Sequence, residues 1–165
     1  MPSRIAETSG VVSVKSIVVY ASKGGNTKKI AQEIAAELGC EAFRITSDSS
    51  PVSLDGYDLV FVGAGICYGN LNQDLQHYLQ TATFKTTKTF ALFITWGGAG
   101  KTDKLVTAKL KTILENRDQK VLDDSFACYG GWGLLRRGHP NSEEAKAAKE
   151  WARKIAEALF NRSLL

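Results

Sequence analysis

The sequence predicts a three-layer α/β domain: a doubly wound, five-stranded parallel sheet of order 2-1-3-4-5 with helices on both faces. Two observations predict the layers. Short, wholly apolar runs alternate with segments whose apolar residues recur every three or four positions. The runs read as parallel strands buried on both faces, and the segments as amphipathic helices. A third observation predicts the strand order. The loops richest in glycine follow the first, third and fourth runs, and in this order those loops converge at the switch point beyond the carboxyl ends of the strands.

The elements follow in sequence. Lys15–Tyr20 (KSIVVY) is the first strand. Ile30, Ile34 and Leu38 form one helical stripe, which Gly39 ends. Glu41–Ile45 is a short edge strand, and Leu59–Gly63 (LVFVG) is the third strand. Leu71, Leu75, Tyr78 and Leu79 share a helical face. Phe90–Thr95 (FALFIT) is the fourth strand, and Val106, Leu110, Ile113 and Leu114 mark the helix after it. Ser125–Tyr129 belongs to the last strand. Asn141 with Glu144 three residues on makes a capping box, ahead of the stripe Ala148, Ala152, Ile155 and Leu159. Crossovers between such strands are right-handed.

The chain has 165 residues, about one domain's worth, with 44% hydrophobic and 23% charged residues. Residues 1–14 read as a loose, flexible tail and 15–165 as the folded domain. The formal charge of +4 comes without a block of basic residues, so no nucleic-acid partner is expected. Cys40, Cys67 and Cys128 are scattered, which suggests neither a disulfide framework nor a metal site and fits a reducing cytoplasm. The polar start and the lack of a long apolar run argue against a signal peptide or a membrane span.

The chemistry lies in the glycine-rich loops. Ser22, Lys23, Gly24, Gly25, Asn26 and Thr27 join a strand to a helix. Glycines let the backbone come close, and the free N–H groups and dipole of a helix start attract an anion, so the loop reads as a cradle for a phosphate monoester. The second loop holds Gly65, Ile66, Cys67, Tyr68, Gly69 and Asn70, and the third holds Thr95, Trp96, Gly97, Gly98 and Gly100. Gly130 and Gly131, after the last strand, would also let backbone approach a ligand. Gly138-His139-Pro140-Asn141 reads as the entry to the final helix. Thr95–Thr102 nearly spells a nucleotide-binding P-loop, but threonine stands where its first glycine belongs and no strand ends in the aspartate that Mg²⁺ would want. A phosphoacceptor receiver domain would need acids after the first and third strands, where Ala21-Ser22 and Ala64-Gly65 stand.

On these residues the sequence resembles the flavodoxins over roughly residues 15–160, in their short-chain form. Ser22, Gly25 and Thr27 fall on the family's phosphate loop; Gly24 departs from a usual threonine, and Lys23 adds a charge. The resemblance implies FMN, held without a covalent link. It implies that Tyr68 stacks on the flavin, although an ordinary exposed loop aromatic is the alternative. Gly69 matches the family glycine that turns its carbonyl toward flavin N5, and Asn70 replaces a usual acid. Trp96 is either a second flavin wall or core at the strand's end. No Ser/His/Asp set, Cys/His pair or paired carboxylates stand ready for acid–base chemistry, so no catalytic residue is assigned. That favours an electron carrier over an FMN-dependent oxidoreductase of quinone reductase or protoporphyrinogen oxidase type. Flavodoxins usually present an acidic rim. Here the rim candidates are Lys23, Lys101, Arg136 and Arg137, with Asp103 and Asp74 the nearest acids, so redox partners should offer an acidic face to a monomer or weak dimer.

Overall fold

In the computed structural model, residues 3–4, 14–66, 68–131 and 134–165 are described. The strands are β1 (Ser3–Arg4), β2 (Lys15–Ala21), β3 (Ala42–Arg44), β4 (Leu59–Gly65), β5 (Thr89–Trp96), β6 (Lys120–Val121) and β7 (Phe126–Tyr129). The helices are α1 (Asn26–Leu38), α2 (Gln73–Thr81), α3 (Thr102–Glu115) and α4 (Ser142–Ser163).

β3, β2, β4 and β5 lie side by side and parallel, and β6 and β7 pair in turn along the far edge of β5. The last strand is therefore in two pieces, with Leu122–Ser125 between them. Taking the two pieces as one, the order is the predicted 2-1-3-4-5. The piece Lys120–Val121 went unread because its apolar run is too short to signal a strand. Ser3 and Arg4 differ from the loose tail expected there: they pair antiparallel with Ser16 and Lys15, on the edge of β2 that β3 leaves open. The rest of residues 1–13 lies outside the described residues.

Alternation along the strands sorts the core. Ile17, Val19, Val60, Val62, Leu92 and Ile94 point to one face, where α2 and α3 bring Leu75, Leu79, Val106 and Leu110. Val18, Tyr20, Phe61 and Phe93 point to the other, where α1 and α4 bring Ile30, Ile34, Ala148 and Ala152. Each large apolar side chain so buried contributes about 1.5–3 kcal/mol. Two caps follow the sequence: Gly39 closes α1 at φ 64°, and Asn141 with Glu144 forms the capping box of α4; Asn72 in addition caps α2.

The central strands are packed to the limit. A Cβ on Gly63 of β4 would lie 2.2 Å from the ring of Phe93, its neighbour on β5 and fully buried. Gly63→Ala should therefore cost about 1–3 kcal/mol through overpacking, with the melting temperature falling roughly 2–4 °C per kcal/mol. A thermal melt by circular dichroism checks this, and an unchanged midpoint would show that the ring has room to turn aside.

Candidate functional site

A cleft of about 1110 Å³ opens at the carboxyl ends of the parallel strands. The loops after β2, β4, β5 and β7 wall it, as the switch-point rule requires.

Ser22, Lys23, Gly24, Asn26 and Thr27 line one end. Gly25 does not line the cleft but shapes it. As N-cap of α1 it sits at φ 88°, which glycine reaches without strain, and its N–H donates to Ser22 Oγ at 3.0 Å. No side chain caps α1 and its first turn carries no acid, so the positive end of the helix is left unneutralised at the cleft. The Thr27 and Thr95 hydroxyls meet at 2.8 Å in the interior, which ties this helix start to the end of β5. A Cβ on Gly65 would come within 2.9 Å of Thr27 Oγ1, so the end of β4 must be glycine for the three to close up.

The second loop contributes Gly65, Ile66, Tyr68, Gly69 and Asn70. Ile66 N donates to Thr95 O at 3.0 Å, which holds this loop against the third. Tyr68 and Gly69 take consecutive left-handed conformations, φ 51° and 75°, and Asn70 Nδ2 donates to Tyr68 O at 3.1 Å. The Tyr68 side chain is 84% exposed at the cleft mouth. Cys67 lies outside the described residues.

From the third loop Thr95, Trp96 and Gly97 line the cleft, and Gly98 and Gly100 do not. Trp96 packs on the core and also lines the cleft. Its ring stacks on Tyr129 with centroids 6.3 Å apart. Gly98 serves that packing, because a Cβ there would sit 2.8 Å from the Tyr129 ring. Lys101 ends the loop as N-cap of α3 and does not reach the cleft wall, whereas Lys109 does.

The fourth wall is the loop from β7 to α4. Gly130 and Gly131 line the cleft, as their approach in sequence suggested, and Leu135 joins them. Asn26 Nδ2 donates to Gly131 O at 2.9 Å, and Gly130 N donates to Trp96 O at 2.9 Å. Arg136 lies over the Tyr129 ring at 3.9 Å and reaches Gly97 O, so it is committed within the fold and is not a free rim charge. Trp132 lies outside the described residues. The site residues that the sequence did not signal, among them Leu135, Gln73, Gln76 and Lys109, are ordinary surface types whose role comes only from where α2, α3 and the last loop fold.

At the foot of the fourth wall Glu144 accepts hydrogen bonds from Asn141 N and Tyr129 N, and its carboxylate meets His139 Nδ1. Burial opposes the charge of Glu144, yet these donors together hold its carboxyl below the usual range. Burial pushes the neighbouring Cys128 thiol up to about 12, so it stays protonated. Among the described residues no group of three His, Cys, Asp or Glu could hold a metal ion, and no helix is long and apolar enough to cross a membrane.

Fold and cleft define a doubly wound α/β protein with an uncapped, acid-free helix start at the switch point. The sequence matches the family described as flavodoxin domain over residues 17–132, and the chain belongs to that family. It is similar to an uncharacterised protein of Methanocaldococcus jannaschii, 30% identical over 86% of this chain and 98% of that one. It is also similar to the flavodoxin-like domain-containing protein BilS of Clostridioides difficile, 33% identical over 71% of this chain and 66% of that protein. Oxidised flavodoxin 1 from Bacillus cereus shares the fold, with a TM-score of 0.67 at 20% identity over 86% of this chain and 97% of that structure.

Because its carboxyl is held below the ordinary 4.5, Glu144 adds stability that is complete above that pH and is lost as pH falls through the lowered value. Urea unfolding of the wild type and Glu144→Gln across acid pH should show a stability gap that is widest above about pH 5 and narrows below. A gap that widens on acidification would contradict the ionised carboxylate.

Proposed function

We propose that residues 15–165 bind one FMN without a covalent link and carry electrons between redox partners. The observation that carries this reading is the glycine-turned, acid-free and uncapped start of α1 at one end of a long cleft. The residues present fit the cofactor. Ser22 Oγ, Lys23, Asn26, Thr27 and the first-turn N–H groups offer donors and positive charge to its phosphate. Ile66, Trp96 and Leu135 offer apolar walls to a flat ring and keep water from it, with Tyr68 at the mouth. Gly69 and Asn70 bring backbone close without adding charge. The cleft volume, about 1110 Å³, is near the upper end of small-molecule sites, which run to roughly 1,000 Å³. Bound FMN supplies one- and two-electron redox chemistry, and the protein sets its environment.

Among the charged residues that line the cleft, Lys23 and Lys109 outnumber Asp74, which supports partners with an acidic face. The scatter of Cys40, Cys67 and Cys128 along the sequence supports a cytoplasmic setting, and the broken outer strand supports a monomer or weak dimer. One observation favours the second reading, an FMN-dependent oxidoreductase: the cleft continues between α2 and α3 past Gln73, Gln76 and Lys109, where a small molecule could lie.

Titration of the apoprotein should give FMN binding near one to one and about 10–100-fold tighter than riboflavin, the difference that charge-assisted bonds to the phosphate support. Equal affinities would refute the phosphate role of Ser22–Thr27. Stopped-flow reduction across a salt series separates carrier from enzyme. A carrier steered by charge should exchange electrons with an acidic redox protein about 10-fold or more slowly at high salt, with slow quinone turnover. Fast, salt-independent multiple turnover of a neutral quinone would establish the enzyme.

A further inference from the structure

Glu144 does not line the cleft, yet one carboxylate joins both ends of the loop that forms its fourth wall. Its Oε2 accepts from Tyr129 N at 2.9 Å, at the start of the loop. Its Oε1 accepts from Asn141 N at 3.0 Å and meets His139 Nδ1, at the loop's end. Helix capping uses only part of this: the capping box needs Asn141 Oδ1 on Glu144 N and one carboxylate oxygen on Asn141 N. The bonds to Tyr129 and His139 lie beyond the cap. From those two residues the network runs straight to the wall. Gly130, next to Tyr129, donates to Trp96 O, and Gly131 donates to His139 O at 2.9 Å. Gly131 O in turn accepts from Asn26 of the α1 start.

Resting on the FMN reading, we propose that Glu144 is a positioning residue for the cofactor, a staple that holds the Gly130–Gly131 wall against the α1 start and Trp96. A glutamine cannot replace it. It has one oxygen, and its NH₂ would face a backbone N–H that already donates, so at least one end of the loop is released. Among the described residues, Lys29 reaches Pro140 O at the loop's end alone, and Arg136 reaches Gly97 O and the Tyr129 ring but not that end.

The test uses apoprotein of the wild type, Glu144→Gln, His139→Ala and Asn141→Ala, each melted and then titrated with FMN. E144Q should bind FMN on the order of tenfold more weakly, the factor that one bond to a charged group supports. H139A keeps both backbone bonds and should lose about threefold; it carries the test if E144Q does not fold. N141A loses the α4 cap and should melt lower while binding FMN as the wild type does. E144Q and H139A that bind as tightly as the wild type, with only lower melting points, would overturn the inference and leave Glu144 a helix cap. A wild type that fails to bind FMN would overturn the FMN reading itself, and this inference with it.

Discussion

Parallel pairing of β2, β4 and β5 is the constraint on which the rest depends. Parallel neighbours end at the same side, so each connection must leave from one rim of the sheet and return across a face. Helices on both faces follow, and with them two separate apolar layers. The convergence of the loops is a by-product of the same pairing. Reversal of the winding direction at β2 sends one connection to each face, and the gap between them becomes the cleft.

Convergence alone would give a hole. The register of small residues turns it into a shaped site. Gly63 yields to Phe93, and Gly65 yields to Thr27, so strand ends and helix start approach more closely than side chains would allow. The Thr27–Thr95 hydroxyl pair then satisfies two polar groups at the point of closest approach. No side chain caps the start of α1, whose Asn26 and Thr27 line the cleft.

Strand and helix identity was legible because burial on two faces leaves a simple trace: unbroken apolar runs such as Leu59–Gly63, and four-residue spacing such as Ile30, Ile34 and Leu38. Loop conformation was legible where the backbone demands glycine, at Gly25 and Gly69. What tertiary geometry alone decides was not legible. Trp96 faces core and cleft at once, and no pattern tells a residue with one side from a residue with two. Arg136 reads as a solvent charge until Tyr129 is placed beneath it. Glu144 reads as a cap because capping is a local signal, while its bond to Tyr129 spans fifteen residues. Ser3 and Arg4 carry no strand signal, since the template they pair with lies in β2.

The divided last strand has its own consequence for the molecule in a crowded solution. Exposed sheet edges recruit other edges, and polymerisation needs several successive free N–H and C=O groups. Here the outer edge comes as a two-residue piece and a four-residue piece, with Asp123 and Asp124 in the break and Lys111 paired to the first of them. Gly130 N turns inward to Trp96 O, so Tyr129 N points outward, and that one is already taken by Glu144. An incoming strand would find no run long enough to template it. The edge is thus protected from self-assembly by interruption, by charge and by the first turn of α4, whose Glu144 takes Tyr129 N.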